Sequence, residues 1–213
     1  LVGSERCITD SHNIFGPTIQ GEGGMTGTVC HFLRLSGCNM WDGRASTREA
    51  SMCPFCDTDF FSHTMKTAQA IVEELDSLGR KGWVTISGGE PALQVDQNLI
   101  DALHDANYLV AIETNGTKQI KATVDYLTLS PKLPRGQTVV ENCDTLKVLY
   151  PHPNPLIRPE FFESIKAQDR YLQPIDTGDA VDNQINVQKT IDKLYTLDGW
   201  RLSLQTHKYM GVE

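Results

Sequence analysis

The chain has 213 residues, 39% of them hydrophobic and 22% charged, with a formal net charge of −8. That length and composition suit one globular α/β domain over 1–213 with an ordinary core. The acidic balance disfavours direct nucleic-acid binding, which needs a concentrated basic face, and no apolar run approaches the roughly 20 residues that span a bilayer.

Residues 1–4 carry no inference. Ile14-Phe15-Gly16-Pro17 leads into Gly21-Glu22-Gly23-Gly24, which is too glycine-rich for regular structure and reads as a binding loop. Residues 28–36 form a buried strand, with Arg34 near its end as a solvated charge or a carboxylate clamp. Residues 39–52 are polar, an insert that forms a loop or a short helix. A helix is predicted over 67–80, with Ala68, Ile71, Val72, Leu75 and Leu78 at spacings of three and four. A strand over 82–87, a helix over 96–106 and strands over 108–113, 126–130 and 145–150 follow. Beyond Pro151 come a short helix near 160–167, a strand at 170–173, a helix over 183–197 and a strand at 200–204. Alternating strands and helices imply a parallel sheet with crossover helices. Seven strands are too few for a closed eight-stranded barrel, so a partial barrel is expected, with ligands at the strands' carboxyl ends.

Three cysteines, Cys38, Cys53 and Cys56, stand at C-x14-C-x2-C. Thiolates suit iron–sulfur clusters or zinc. A four-iron cluster held by three thiols keeps one iron open to a small molecule, whereas zinc would add His63 or Cys30 as a fourth ligand and only staple the fold. Six cysteines are too sparse for a secreted disulfide framework, and no apolar leader-like run precedes them. The expected compartment is the cytoplasm, where thiols stay reduced. Cys7, Cys30 and Cys143 read as buried small hydrophobes. Downstream, Ser87-Gly88-Gly89-Glu90-Pro91 follows a strand; its glycines allow close backbone approach to a ligand, although alone it is also an ordinary turn.

These stretches, with Ile19-Gln20-Gly21-Glu22-Gly23, Arg34 to Asn39, Cys53-Pro54-Phe55-Cys56-Asp57-Thr58, Glu113-Thr114-Asn115-Gly116, Ser130-Pro131-Lys132, Gln173-Pro174-Ile175-Asp176 and Gln205-Thr206-His207-Lys208, resemble the radical S-adenosylmethionine enzymes. Within them the resemblance is to the 7-carboxy-7-deazaguanine synthase family, from about Ile14 to Glu213. The first cysteine gap of fourteen residues departs from the three of most radical enzymes and looks like a subgroup with an enlarged cluster loop.

The resemblance implies a reduced (β/α) barrel that pairs as a homodimer. It implies a [4Fe-4S] cluster on Cys38, Cys53 and Cys56, with S-adenosylmethionine on the open iron. An electron donor such as flavodoxin or ferredoxin would start a radical ring contraction of 6-carboxy-5,6,7,8-tetrahydropterin to 7-carboxy-7-deazaguanine with loss of ammonia. Phe55 would pack on adenine or merely shield the cluster. Gly88, Gly89 and Glu90 would take the cofactor's amino end. Glu113, Ser130, Pro131 and Lys132, with Gln173, Pro174, Ile175 and Asp176, would hold its ribose and carboxylate. Ile19, Gln20, Gly21, Glu22 and Ser87 would read the pterin edge and Arg34 its carboxylate. His207, a substrate contact or an inert histidine, and the terminal carboxylate of Glu213 complete the pocket, on a tail expected to lack a closing helix. Thr58 would supply an oxygen to Mg2+, or be an ordinary loop hydroxyl. The remaining alternatives are a glycyl-radical activase and a zinc-stapled binding module.

Overall fold

The computed structural model describes residues 8–56, 58, 60 and 62–212. Nine strands form one sheet in the order β3-β1-β2-β4-β5-β6-β7-β8-β9. They are β1 (Ile8–Ile19), β2 (Val29–Leu35), β3 (Thr64–Thr67), β4 (Trp83–Gly88), β5 (Leu109–Thr114), β6 (Tyr126–Leu129), β7 (Asn142–Tyr150), β8 (Lys166–Pro174) and β9 (Trp200–Leu202). From β2 to β9 every neighbouring pair is parallel, while β1 pairs antiparallel with β2 and β3. The sheet does not close, because β3 and β9 remain its edges. The partial barrel expected from the strand count is what the chain forms.

Helices α1 (Ala68–Ser77), α2 (Gln97–Asp105) and α3 (Ala180–Leu194) lie between strands. Each starts on a side chain that satisfies an otherwise orphaned backbone N–H. Thr67 accepts from Ala70 N–H (3.1 Å), Asp96 from Leu99 N–H (3.0 Å), and Asp179 from the Val181 and Asp182 N–H groups. Ile71, Val72 and Leu75 on α1, with Leu99, Ile100 and Leu103 on α2, share a core with Leu33, Leu35, Ile86 and Ile112 from the strands. A second core joins Leu146, Val148 and Leu172 to Phe162 and Ile165. Burying such a side chain stabilises by about 1.5–3 kcal/mol, which is what ties the helices to the outer face of the sheet.

Three local expectations change, and the open reading of the insert is resolved. β1 and β3 extend the sheet beyond the seven strands predicted. The helix near 160–167 is a single 3-10 turn, Pro159–Phe162, because β8 already begins at Lys166 and pairs with Asn142 on β7. The insert at 39–52 is a loop with one 3-10 turn, Ala45–Thr47. The tail does carry a short helix, α4 (Thr206–Met210), which ends on Gly211 at φ +66°; Glu213 lies outside the described residues, as do Cys7 and Asp57. Among the described residues no helix is long and apolar enough to cross a membrane.

Candidate active site

Alternation along each strand divides its side chains between the outer cores and an interior cavity. On β2, Leu33 and Leu35 point to the core while Phe32 and Arg34 line the cavity; on β7, Leu146 and Val148 pack outward while Lys147 and Leu149 face in. The cavity, about 440 Å³, lies where the parallel strands end. Its walls bring together almost every residue singled out from the sequence. Ile19, Gln20, Gly21, Glu22, Arg34 and Ser87 line it, as do the three cysteines, Phe55 and Thr58. So do Gly88, Gly89, Glu90, Glu113, Ser130, Lys132, Gln173, Ile175, Asp176 and His207. Pro131 and Pro174 do not.

Cys38, Cys53 and Cys56 form one wall with Met40, Phe55 and Leu133. Burial pushes the Cys38 thiol up, and that of Cys53 up to about 11 even with the Lys132 ammonium nearby. A bound metal would therefore hold these groups as thiolates. Cys30 is buried within β2 and His63 is exposed, and neither of these candidate fourth ligands lines the cavity. Among the described residues no three His, Cys, Asp or Glu side chains close on a single ion. A cubane does not require that, since each thiolate binds its own iron. Three soft donors on one cavity wall fit such a cluster.

The insert fastens this wall. Arg48 donates to the Cys56 carbonyl (2.5 Å) and lies over the Trp41 ring at 4.5 Å, and Trp41 meets Phe60 edge-on at 5.4 Å. Met52 N–H donates to the Met40 carbonyl (3.2 Å), so the ends of the insert meet. His152 meets the Phe55 ring edge-on at 5.2 Å. Burial, reinforced by the Lys132 charge, pushes His152 down to about 4, so the imidazole packs as a neutral ring at pH 7.

The paired glycines act first on the protein itself. Gly88 has φ +102°, and a Cβ there or on Gly89 would overlap the backbone of Leu35 or Gly37. That closeness allows Gly89 N–H to donate to the Leu35 carbonyl (2.7 Å) and Glu90 N–H to the Gly37 carbonyl (2.9 Å), which locks the turn to the residue before Cys38. The Glu90 carboxylate accepts from Thr114 Oγ1 (2.6 Å), Asn115 N–H (2.7 Å) and Ala92 N–H (3.0 Å). Burial pushes this carboxyl up against those bonds. Asn115 in turn donates to Asn39 (2.9 Å), joining the end of β5 to the loop after Cys38.

A polar set lines the rest of the cavity. Gln20 donates to Glu113 (3.0 Å) and accepts from Glu22 N–H (3.1 Å). Glu22 is ion-paired with Lys147 and accepts from Gln205 (2.8 Å). Burial alone would raise this carboxyl, but the Lys147 ammonium and three hydrogen bonds hold it down at about 2. Lys147, with 3% of its surface exposed, also faces Glu113 at 3.6 Å. Lys132 donates to Ser130 (2.6 Å), and burial lowers its ammonium from the ordinary lysine value. The tail clasps this set: Thr206 N–H donates to the Gly21 carbonyl (3.0 Å), and a Cβ on Gly21 would strike His207. Lys208 pairs with Asp176. Arg34 lines the cavity and its guanidinium stacks over Phe15 at 4.7 Å.

No family model matches the chain. Curated relatives do. The 7-carboxy-7-deazaguanine synthase of Nitratidesulfovibrio vulgaris is 40% identical over 209 residues, spanning 92% of this chain and 95% of that protein. The synthases of Bordetella pertussis and Bradyrhizobium diazoefficiens are 39% and 36% identical with the same coverage. This chain belongs to the 7-carboxy-7-deazaguanine synthase family. A solved structure, that of QueE from Escherichia coli, superposes with a TM-score of 0.65 at 22% identity, covering 92% of this chain and 93% of that one, and shows the same fold. Family membership brings radical S-adenosylmethionine chemistry with it, in agreement with the three-thiol wall, and sets aside the activase and the zinc module. The sequence reading missed Lys147, Arg48, Gln205 and Lys208 as site-builders. Only the last two stood in a quoted motif.

Proposed function

We propose that the chain converts 6-carboxy-5,6,7,8-tetrahydropterin to 7-carboxy-7-deazaguanine with loss of ammonia, on a [4Fe-4S] cluster held by Cys38, Cys53 and Cys56. The observation that carries this reading is one cavity lined both by three thiols and by a carboxylate, amide and guanidinium set able to read a pterin acid. When bound, the cluster and S-adenosylmethionine supply a hydrogen-abstracting carbon radical, chemistry that belongs to the cofactor. The protein orients and excludes water. Arg34 offers a planar fork to the substrate carboxylate, while Gln20 and the ionised Glu22 accept hydrogen bonds from the pterin edge. Phe55, kept in place by His152, provides an apolar face for adenine. Glu113, Ser130 and Lys132, at successive strand ends, hold the nucleoside and carboxylate of S-adenosylmethionine, with the Gln173 to Asp176 turn beside them. His207, against Gly21, closes the substrate half, and the terminal carboxylate of Glu213 belongs to it by family likeness.

Thr58 lines the cavity two residues after Cys56, where its hydroxyl can serve Mg2+, which prefers hard oxygens and completes its shell with substrate and water. Thr58→Ala is expected to keep its iron content and lose the Mg2+ response of turnover; an unchanged response removes Thr58 from the site. The protein acts as a homodimer reduced by a small electron carrier such as flavodoxin or ferredoxin. The deciding experiment is anaerobic incubation with the carboxytetrahydropterin, S-adenosylmethionine, reductant and Mg2+. Appearance of the deazapurine is expected, and its absence from iron-replete protein overturns the reading.

A further inference from the structure

Lys147 has no place in the roles above, yet it is the most deeply buried basic residue lining the cavity. It sits mid-strand on β7, between Leu146 and Val148 that pack outward, with 3% of its surface exposed. Burying an ammonium is unfavourable unless it is paired, and an apolar residue of similar volume would usually serve stability as well or better. A lysine here therefore points to what it faces. It faces Glu22, with which it is ion-paired, and Glu113 at 3.6 Å. Gln20 bridges the same two residues, donating to Glu113 and accepting from Glu22 N–H.

We propose that Lys147 is a positioning and specificity residue: it keeps Glu22 an ionised double acceptor aimed at the substrate, and so selects a heterocycle edge with two adjacent N–H donors. This rests on the reading of Glu22 as the residue that meets the pterin edge. A 2-amino-4-oxo pyrimidine presents a ring N–H beside an exocyclic amino group, and a carboxylate accepts from both. A 2-oxo counterpart, a lumazine, puts a carbonyl oxygen where the amino group was and leaves one buried acceptor facing another. Discrimination of this kind is strong because the mismatched groups stay buried and unpaired. Without Lys147 the buried Glu22 carboxyl would take up a proton, donate from one oxygen, and tolerate the carbonyl. The groups around Glu22 are Lys147 from β7, Glu113 from β5, Lys132 after β6, Gln173 from β8, and Gln205 and His207 after β9. Lys147 is the cation paired with it.

The test is equilibrium binding to cluster-loaded enzyme with S-adenosylmethionine and Mg2+, anaerobically and without reductant, so that nothing turns over. The ligands are 6-carboxytetrahydropterin and its 2-oxo lumazine counterpart. Lys147→Met is expected to weaken pterin binding about tenfold or more and to erase most of the preference over the lumazine. Raising the pH should partly restore pterin binding in that variant alone, as Glu22 ionises. In Glu22→Gln the same Lys147→Met change should alter pterin affinity by less than about threefold, because the interaction it serves is gone; that double variant leaves no buried charge of the pair and serves the test even where the single one folds poorly. Loss of pterin affinity in Glu22→Gln without loss in Lys147→Met, or losses that simply add, overturn the inference. If Glu22→Gln binds pterin as tightly as the parent, Glu22 is not at the substrate edge and the underlying assignment falls with it.

Discussion

Single side chains in this cavity do two jobs, and the second job sets their pH behaviour. Glu22 is held at about 2 by Lys147, Gln205 and Gln173 against its own burial. A carboxyl lowered in the folded state adds stability that is complete above its unfolded value, near 4.5, and is surrendered as the pH falls towards 2. Acid unfolding followed by circular dichroism should therefore steepen over that window, and Glu22→Gln should flatten this limb while lowering stability at pH 7 to 8, where the carboxylate's contribution is complete. Lys147 shows why part of the site was hidden in the sequence. Thr145-Leu146-Lys147-Val148-Leu149 reads as an ordinary strand with a solvent-facing lysine, and nothing in a period of two says that the second face turns towards an enclosed cavity. Glu22, by contrast, stood out because it lies among glycines that no helix or strand would place in a row.

At the level of elements, the site is a set of junctions between strand ends. The Gly88-Gly89 turn is pinned to Leu35 and Gly37, so Gly89→Ala must push the Gly37 carbonyl away and with it the residue before Cys38. A loss of about 1–3 kcal/mol in unfolding free energy is expected, together with iron per chain well below parent after reconstitution. Full iron loading at parental stability would show that the turn and the cluster wall are independent. Arg48→Ala removes both the stack on Trp41 and the bond to the Cys56 carbonyl. It should speed hydrogen exchange at the amides of residues 53–56, read by mass spectrometry, while leaving α1 and α2 unchanged. The strands that pattern alone placed well are β2, β4 to β6 and β9, while β7 and β8 begin three and four residues before their expected starts. β1 escaped because the polar run Asp10, Ser11, His12 and Asn13 carries no alternating apolar signal, and its pairing with β2 shifts register twice. β3 escaped because its four residues run straight into the cap of α1. The insert resisted assignment since its order comes from Trp41, Phe60 and Arg48 meeting in space, which no local pattern encodes.

For the whole molecule, an unclosed sheet leaves a seam that the C-terminal segment covers from one side. Thr206 reaches the Gly21 carbonyl, Gln205 the Glu22 carboxylate and Lys208 the Asp176 carboxylate. Truncation after Leu204 should therefore leave the thiol wall and iron content intact but abolish measurable binding of the carboxytetrahydropterin. Retained affinity in the shortened chain would assign the tail a purely protective role. The overall α/β class was legible because strand and helix periods alternate for most of the chain; the tail's grip was not, since it joins residues 183 to 185 positions apart.

The backbone bond between Met52 and Met40 has an evolutionary corollary. Two chain points that already touch can be bridged by a short connector or a long one at little difference in closure entropy, so the distance in sequence between Cys38 and Cys53 is decoupled from their distance in space. Swapping residues 41–51 for a tight three-residue bridge, with Phe60 trimmed to suit the lost indole, is the graft by which a lineage, or an engineer, could move between compact and extended versions of this scaffold without relocating any of the three thiols.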